Sequence, residues 1–121
     1  MKYIYNIAVL LCLVCMPSSA MDISKDSADV LKMQADSAYA NEDFENAERI
    51  YLQLAEQGES AVICYNLGCT YYRQDNIAKA VLWYERAAQL DPSDDDIRFN
   101  LAMARGKTID RIIPRHEMFF V

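Results

Sequence analysis

Shifted by 33 residues against itself, the chain places Ala35 on Gly68, Tyr39 on Tyr72, Phe44 on Ile77, Ala47 on Ala80, Tyr51 on Tyr84 and Ala55 on Ala88. A further shift of 34 lays Tyr65-Asn66-Leu67-Gly68 on Phe99-Asn100-Leu101-Ala102. A period of this length restricts the outcome severely. Each unit is one supersecondary element too small to bury its own apolar side, so the units must stack into a continuous core. Within the second unit Leu67, Gly68 and Tyr71 form one helical stripe, and Ile77, Ala80, Tyr84, Ala87 and Ala88 form another. No stretch alternates β-branched and polar residues as a strand would, so the fold class is all-α, an array of antiparallel helix pairs.

The punctuation predicts the helix ends. Helices are expected near Ser27–Ala40 and Asp43–Gln57, the second closed by Gly58. Ser60 caps a helix to about Gln74, the trio Gln74-Asp75-Asn76 makes a tight turn, and the next helix reaches Leu90. Asp91-Pro92 stops it, because the residue before proline is driven out of the α region. Ser93 or Asp94 then caps a further helix whose acidic first turn suits the helix dipole.

Residues 61–94 resemble a tetratricopeptide repeat. The family's positions for a large apolar residue, Leu-Gly, Tyr, Ala, an aromatic, Ala and Pro are held here by Cys64, Leu67-Gly68, Tyr71, Ala80, Tyr84, Ala87 and Pro92, and only Cys64 departs from the common Trp. The resemblance implies a helix-turn-helix solenoid of about two and a half repeats. In it Gly68 and Ala80 are small because the paired helices cross closely, and Tyr71, Tyr84 and Ala87 fill the space between units. Residues 28–61 are a degenerate copy, with Ala38 at the Tyr position and no closing Pro; from Asp95 a partial third unit supplies one helix. The repeat region is placed at residues 21–113 and a tail at 114–121, read as a stub of a longer protein, a docking segment or a disordered end.

The first twenty residues, "MKYIYNIAVLLCLVCMPSSA", are of another kind. Lys2, a largely apolar run from Ile4 to Met16, Pro17 and small Ser18 and Ala20 make a secretory signal, with cleavage predicted after Ala20 and an uncleaved anchor as the alternative. The run falls short of the roughly 20 apolar residues of a comfortable membrane span. Lys2 is the one charged residue in this segment, so the remaining 101 residues hold 11 basic and 18 acidic side chains, net −7. Such an acidic chain lacks the clustered Lys and Arg that nucleic acid or an anionic membrane requires. The expected location is exported, periplasmic or envelope-associated. Together with the export signal, the run "YNLGCTYYRQDNIAKAVLWYERAAQLDPSDDDIRFNLAMAR" and the following Asp110-Arg111-Ile112-Ile113-Pro114 resemble the tetratricopeptide protein of the bacterial aerotolerance operon. That narrower resemblance implies export and membrane-bound partners with von Willebrand A-type domains.

An array of this kind has no built-in catalytic site; the resemblance implies a concave groove lined by the first helix of each pair. It places there Lys32, Asp36, Tyr39 and Ala40 from the first unit, Tyr65, Asn66, Cys69, Tyr72 and Arg73 from the second, and Phe99, Asn100 and Met103 from the third. Aromatic rings with amides between them can stack on side chains and hydrogen-bond an extended backbone. Arg73 is expected to be the only cation near the middle of the groove. A clamp for a C-terminal carboxylate, built in some relatives from Lys and Asn, is matched at Lys32 and Asn66 but fails at Asp36, Asp96 and Asn100.

Catalytic readings fare poorly. His116 lies alone in the tail, and "DPSDDDI" lacks the Gly turn and terminal Glu of a calcium loop, reading as a turn and an acidic helix cap. No cofactor or metal is expected. Cys12 and Cys15 leave with the signal, so Cys64 and Cys69 remain. Five residues apart on a helix they are rotated by about 140° and offset by about 7.5 Å, too far for a disulfide. Cys64 is expected to be buried and Cys69 to face the groove. The sequence therefore supports a non-enzymatic interaction module for a protein or peptide partner. A thiol redox or sensor protein working through Cys69 is a second reading, and a structural spacer or self-association unit a third.

Overall fold

The computed structural model describes residues 20–112, which form five α-helices: α1 (Ala20–Ala40), α2 (Phe44–Gln57), α3 (Ala61–Arg73), α4 (Ile77–Leu90) and α5 (Asp95–Ile112). The expected signal up to residue 19, the expected tail at 114–121 and His116 lie outside the described residues. Neighbours in sequence pack against one another, α1 on α2, α2 on α3, α3 on α4 and α4 on α5. The product is a stack of antiparallel pairs with one helix of a third pair.

The pair α3–α4 shows why the sequence folds this way. A Cβ built on Gly68 would lie 2.4 Å from Cδ1 and 2.6 Å from Cε1 of Tyr84, so the Tyr84 ring rests directly on the α3 backbone. Ala80, fully buried, keeps the facing helix equally thin. Around this crossing Cys64, Leu67, Tyr71, Ile77, Trp83 and Ala87 close a core continuous with Ala35, Ala47, Ile50, Tyr51 and Leu54 on one side and Ile97, Leu101 and Ala104 on the other.

The helix ends mostly fall where the polar residues predict. Ser60 accepts the Ile63 amide at 3.2 Å and Asn76 accepts that of Lys79 at 3.4 Å. Of the two candidate caps for α5, Asp94 is the one used, its Oδ1 taking the amides of Asp96 and Ile97. The start of the first helix differs from expectation. It begins at Ala20 rather than near Ser27, because nothing between these positions, neither Gly nor Pro, interrupts a helix and Ser27 is simply carried within it.

The turn between paired helices is made twice in the same way. In one, the amides of Asp75 and Asn76 reach back to the carbonyls of Tyr72 and Tyr71; in the other, those of Glu42 and Asp43 reach Tyr39 and Ala38. This is the Schellman closure, whose hinge residue must be left-handed. Asp75 (φ 64°) and Glu42 (φ 61°) occupy that hinge without being glycine.

Two stability outcomes follow. Gly68→Ala should destabilise the chain by about 1–2 kcal/mol despite alanine's better helix propensity, since overpacking outweighs it; urea unfolding should show that cost shrinking when Tyr84 is also changed to Leu, whereas equal costs in both backgrounds would remove the crossing as the cause. Glu42→Gly should instead raise stability by about 0.5–1 kcal/mol by relieving the left-handed backbone, read as a higher urea midpoint with an unchanged slope.

Candidate functional site

The first helices of the three units, α1, α3 and α5, carry side chains at matching repeat positions. On α3 the series is Tyr65, Asn66, Cys69 and Tyr72, and on α5 it is Phe99, Asn100 and Met103. The face is bound together across helices rather than merely juxtaposed. The Asn100 side-chain amide donates to the Tyr65 hydroxyl at 2.7 Å, joining α5 to α3. Between α1 and α3 lies a hollow of about 300 Å³ lined by Asp36, Tyr39, Tyr51, Tyr65, Asn66 and Cys69. Five of these six were expected from sequence. Tyr51 comes from α2, buried, and reaches the hollow from below through its hydroxyl.

That hydroxyl reveals a second layer of the repeat. Tyr51 donates to Asp36 at 2.5 Å, and Tyr84, 33 residues later, donates to the Cys69 sulfur at 3.3 Å. The thiol therefore stands where the preceding unit has a carboxylate. The signal for Tyr51 was available in the sequence, as its alignment with Tyr84, but not the direction of its oxygen. Lys32 closes the outer side of Asp36 with an ion pair of 2.6 Å. Burial works to raise the Asp36 carboxyl, but the hydrogen bonds from Lys32 and Tyr51 outweigh it and hold the group below its usual range. Burial pushes Tyr65 up to about 12, aided by neighbouring Cys69.

Cys69 is half-buried and free, and Cys64 is fully buried and free. Burial pushes both thiols above their ordinary value; for Cys69 the hydrogen bonds from Tyr84 and Tyr65 only partly offset it. A nucleophilic or redox cysteine needs the opposite, an environment that favours thiolate. The position of Cys69 is that of a hydrogen-bond acceptor holding Tyr84.

Arg73 lies beside Tyr39, a residue that lines the hollow. As the last residue of α3 it sits at the end of the face, paired with Glu42 at 3.0 Å and stacked 4.8 Å from the Phe44 ring centre. Lys107 of α5, absent from the expected set, stands 4.6 Å from the Tyr72 ring centre. Phe99 is 68% exposed and Met103 is exposed as well, so this part of the face carries apolar surface with no internal partner.

A stack of helix pairs with an aromatic and amide-bearing face on its first helices defines an all-α repeat solenoid. Residues 61–94, the α3–α4 pair with its flanking turns, match the tetratricopeptide repeat family. Over 86 residues, 71% of this chain, the sequence is 27% identical to the tetratricopeptide repeat protein 30 homolog of Aedes aegypti, and the match spans 13% of that protein's length. The fold is a tetratricopeptide-type helical repeat.

The hydrogen bond into Cys69 gives a direct outcome. Cys69→Ser, which keeps an acceptor, should change stability little, whereas Cys69→Ala leaves the buried Tyr84 hydroxyl unpaired and should cost about 1–3 kcal/mol. In the folded chain both thiols should react with iodoacetamide far more slowly at pH 8 than in urea, the rate rising only at more alkaline pH; rapid folded-state labelling of Cys69 would restore the thiol reading.

Proposed function

We propose that the chain is a non-catalytic interaction module that holds a segment of a partner protein against the face formed by α1, α3 and α5. The observation that carries this is the exposed apolar surface of Phe99 and Met103, continuous in repeat register with Tyr65 and Cys69 and flanked by the amides of Asn66 and Asn100. Contiguous apolar surface rimmed by polar groups is a common mark of a binding face. Tetratricopeptide repeats generally mediate protein–protein contacts, and they do so without chemistry of their own.

In this reading the protein works outside the cytoplasm as part of an envelope complex linked to aerotolerance or stress. The support is the signal-like first twenty residues and the resemblance to the exported tetratricopeptide protein of the aerotolerance operon. Membrane-bound proteins with von Willebrand A-type domains are then the partners to test first. The spacer reading draws less support. On α5 the positions matching Cys64, Gly68 and Tyr71 are Arg98, Ala102 and Arg105, the arginines paired with Asp95 and Glu85. A polar outer face of this kind suits the closing helix of an array.

Affinity for a co-purified envelope partner should fall at least tenfold in Tyr65→Ala and in Phe99→Ala, each removing a large central contact worth more than about 1.4 kcal/mol. Gln53→Ala, an exposed change on α2, should leave it unaltered. Equal binding by all three variants would place the partner elsewhere.

A further inference from the structure

The hollow of about 300 Å³ between α1 and α3 is half walled by tyrosine, with Tyr39, Tyr51 and Tyr65 making three of its six lining residues. Its charge is balanced within the chain. Asp36, the one charged side chain in the lining, is paired with Lys32 at 2.6 Å and accepts from Tyr51. Other polar groups of the lining are engaged too. Cys69 accepts from Tyr84, the Tyr65 hydroxyl accepts from Asn100, and the Tyr39 hydroxyl is hydrogen-bonded by Arg73. Asn66 is the exception. Its backbone carbonyl accepts from Thr70 at 2.7 Å, while its half-buried side-chain amide has no hydrogen-bond partner among the described residues. One carbonyl oxygen and two N–H donors are therefore left open at the wall of a largely aromatic hollow.

We infer that this hollow seats one tryptophan or tyrosine side chain of the partner segment, with its ring among the tyrosines and its indole N–H or phenol O–H hydrogen-bonded to the Asn66 amide. This rests on the α1, α3 and α5 face being the binding face. Charge excludes several side-chain classes. A lysine or arginine entering here would meet Lys32 and Arg73 at the margins, with Asp36 already paired to Lys32. An aspartate or glutamate would stand beside the Asp36 carboxylate. Neither charge finds a free counter-ion to offset its desolvation. Size and polarity narrow the remainder. About 300 Å³ is the lower end of the range for ligand pockets, room for a single large side chain. An aliphatic side chain or a phenylalanine would seal the Asn66 amide from water and leave it unpaired. Tryptophan and tyrosine join an aromatic body to one polar tip, which matches rings and an open amide on the same wall.

The test is selection of dodecapeptides from a random phage-displayed library on the immobilised full chain, followed by fluorescence anisotropy with the selected peptides. Enriched sequences should share a tryptophan or tyrosine, and its exchange for alanine should weaken binding at least tenfold. Asn66→Ala should weaken binding about fivefold, and that loss should vanish for the peptide in which phenylalanine replaces the tryptophan or tyrosine. Glu56→Gln, an exposed acid on α2, should have no effect. If Asn66→Ala does not fold, the exchange to phenylalanine on the unaltered chain reads the same hydrogen bond as a loss of about fivefold. No loss in Asn66→Ala, or a loss that persists with the phenylalanine peptide, would overturn the seat beside Asn66. Peptides that depend instead on a charged or aliphatic side chain, and that Tyr65→Ala abolishes, would overturn the aromatic occupant while leaving the binding face intact. Peptides indifferent to both Tyr65→Ala and Phe99→Ala, or no enrichment at all, would overturn both.

Discussion

The Tyr84 ring lies directly against the α3 backbone at Gly68, and the rest of the stack takes its geometry from that contact. Helices can approach this closely only where one of them has no side chain to interpose. The ring then fills the gap, and its neighbours Leu67, Tyr71, Ala80 and Ala87 are brought into the same core. In the first unit the same crossing is made with Ala35, fully buried, opposite the region of Tyr51. One methyl group thus distinguishes the degenerate unit from the full one at its tightest point.

Tyrosine rather than phenylalanine at these places has a separate effect. Each buried phenol has to find a partner, and each does so on another helix. Tyr51 reaches Asp36, Tyr84 reaches Cys69, and Tyr71 reaches Glu48, which also receives the side chain of Gln74. Asn100 closes the series on Tyr65. Hydrophobic burial is non-directional and tolerates sliding. These bonds do not tolerate it, so they fix the register in which the apolar surfaces meet and, through Asp36, Cys69 and Tyr65, the arrangement of the candidate site above them. Core and candidate site share the same atoms.

Much of this was legible in the sequence because it is periodic. The 33-residue shift found the helix pairs, the small residues at the crossing and the buried tyrosines, since burial leaves its trace as residue size at fixed spacing. The cap at Ser60, the turn at Gln74-Asp75-Asn76 and the choice between Ser93 and Asp94 were legible because capping and turns are local chemistry. The start of α1 was not, because a helix continues wherever nothing stops it and Ser27 is a weak signal against unbroken sequence. The partners of Arg73 were not legible either: repeat register names the side of a helix, but only the three-dimensional turn shows that Glu42 and Phe44 lie within its reach. Lys107 and the hydroxyl of Tyr51 belong to the same class of feature. They reach the face along directions that side-chain identity and spacing do not encode.

The turn between paired helices has a consequence for how such a chain can change its length. Asn76 completes the closure of α3 with its backbone amide and caps α4 with its side chain, and Asp43 does both for α1 and α2. A single residue finishes one helix and starts the next, so the hairpin contains no slack. One inserted residue would rotate the following helix by about 100° and carry Ala80 and Tyr84 away from Gly68. Lineages of this protein should therefore accumulate insertions at residues 58–60 or 91–94, between pairs, and gain or lose material mainly as whole repeats.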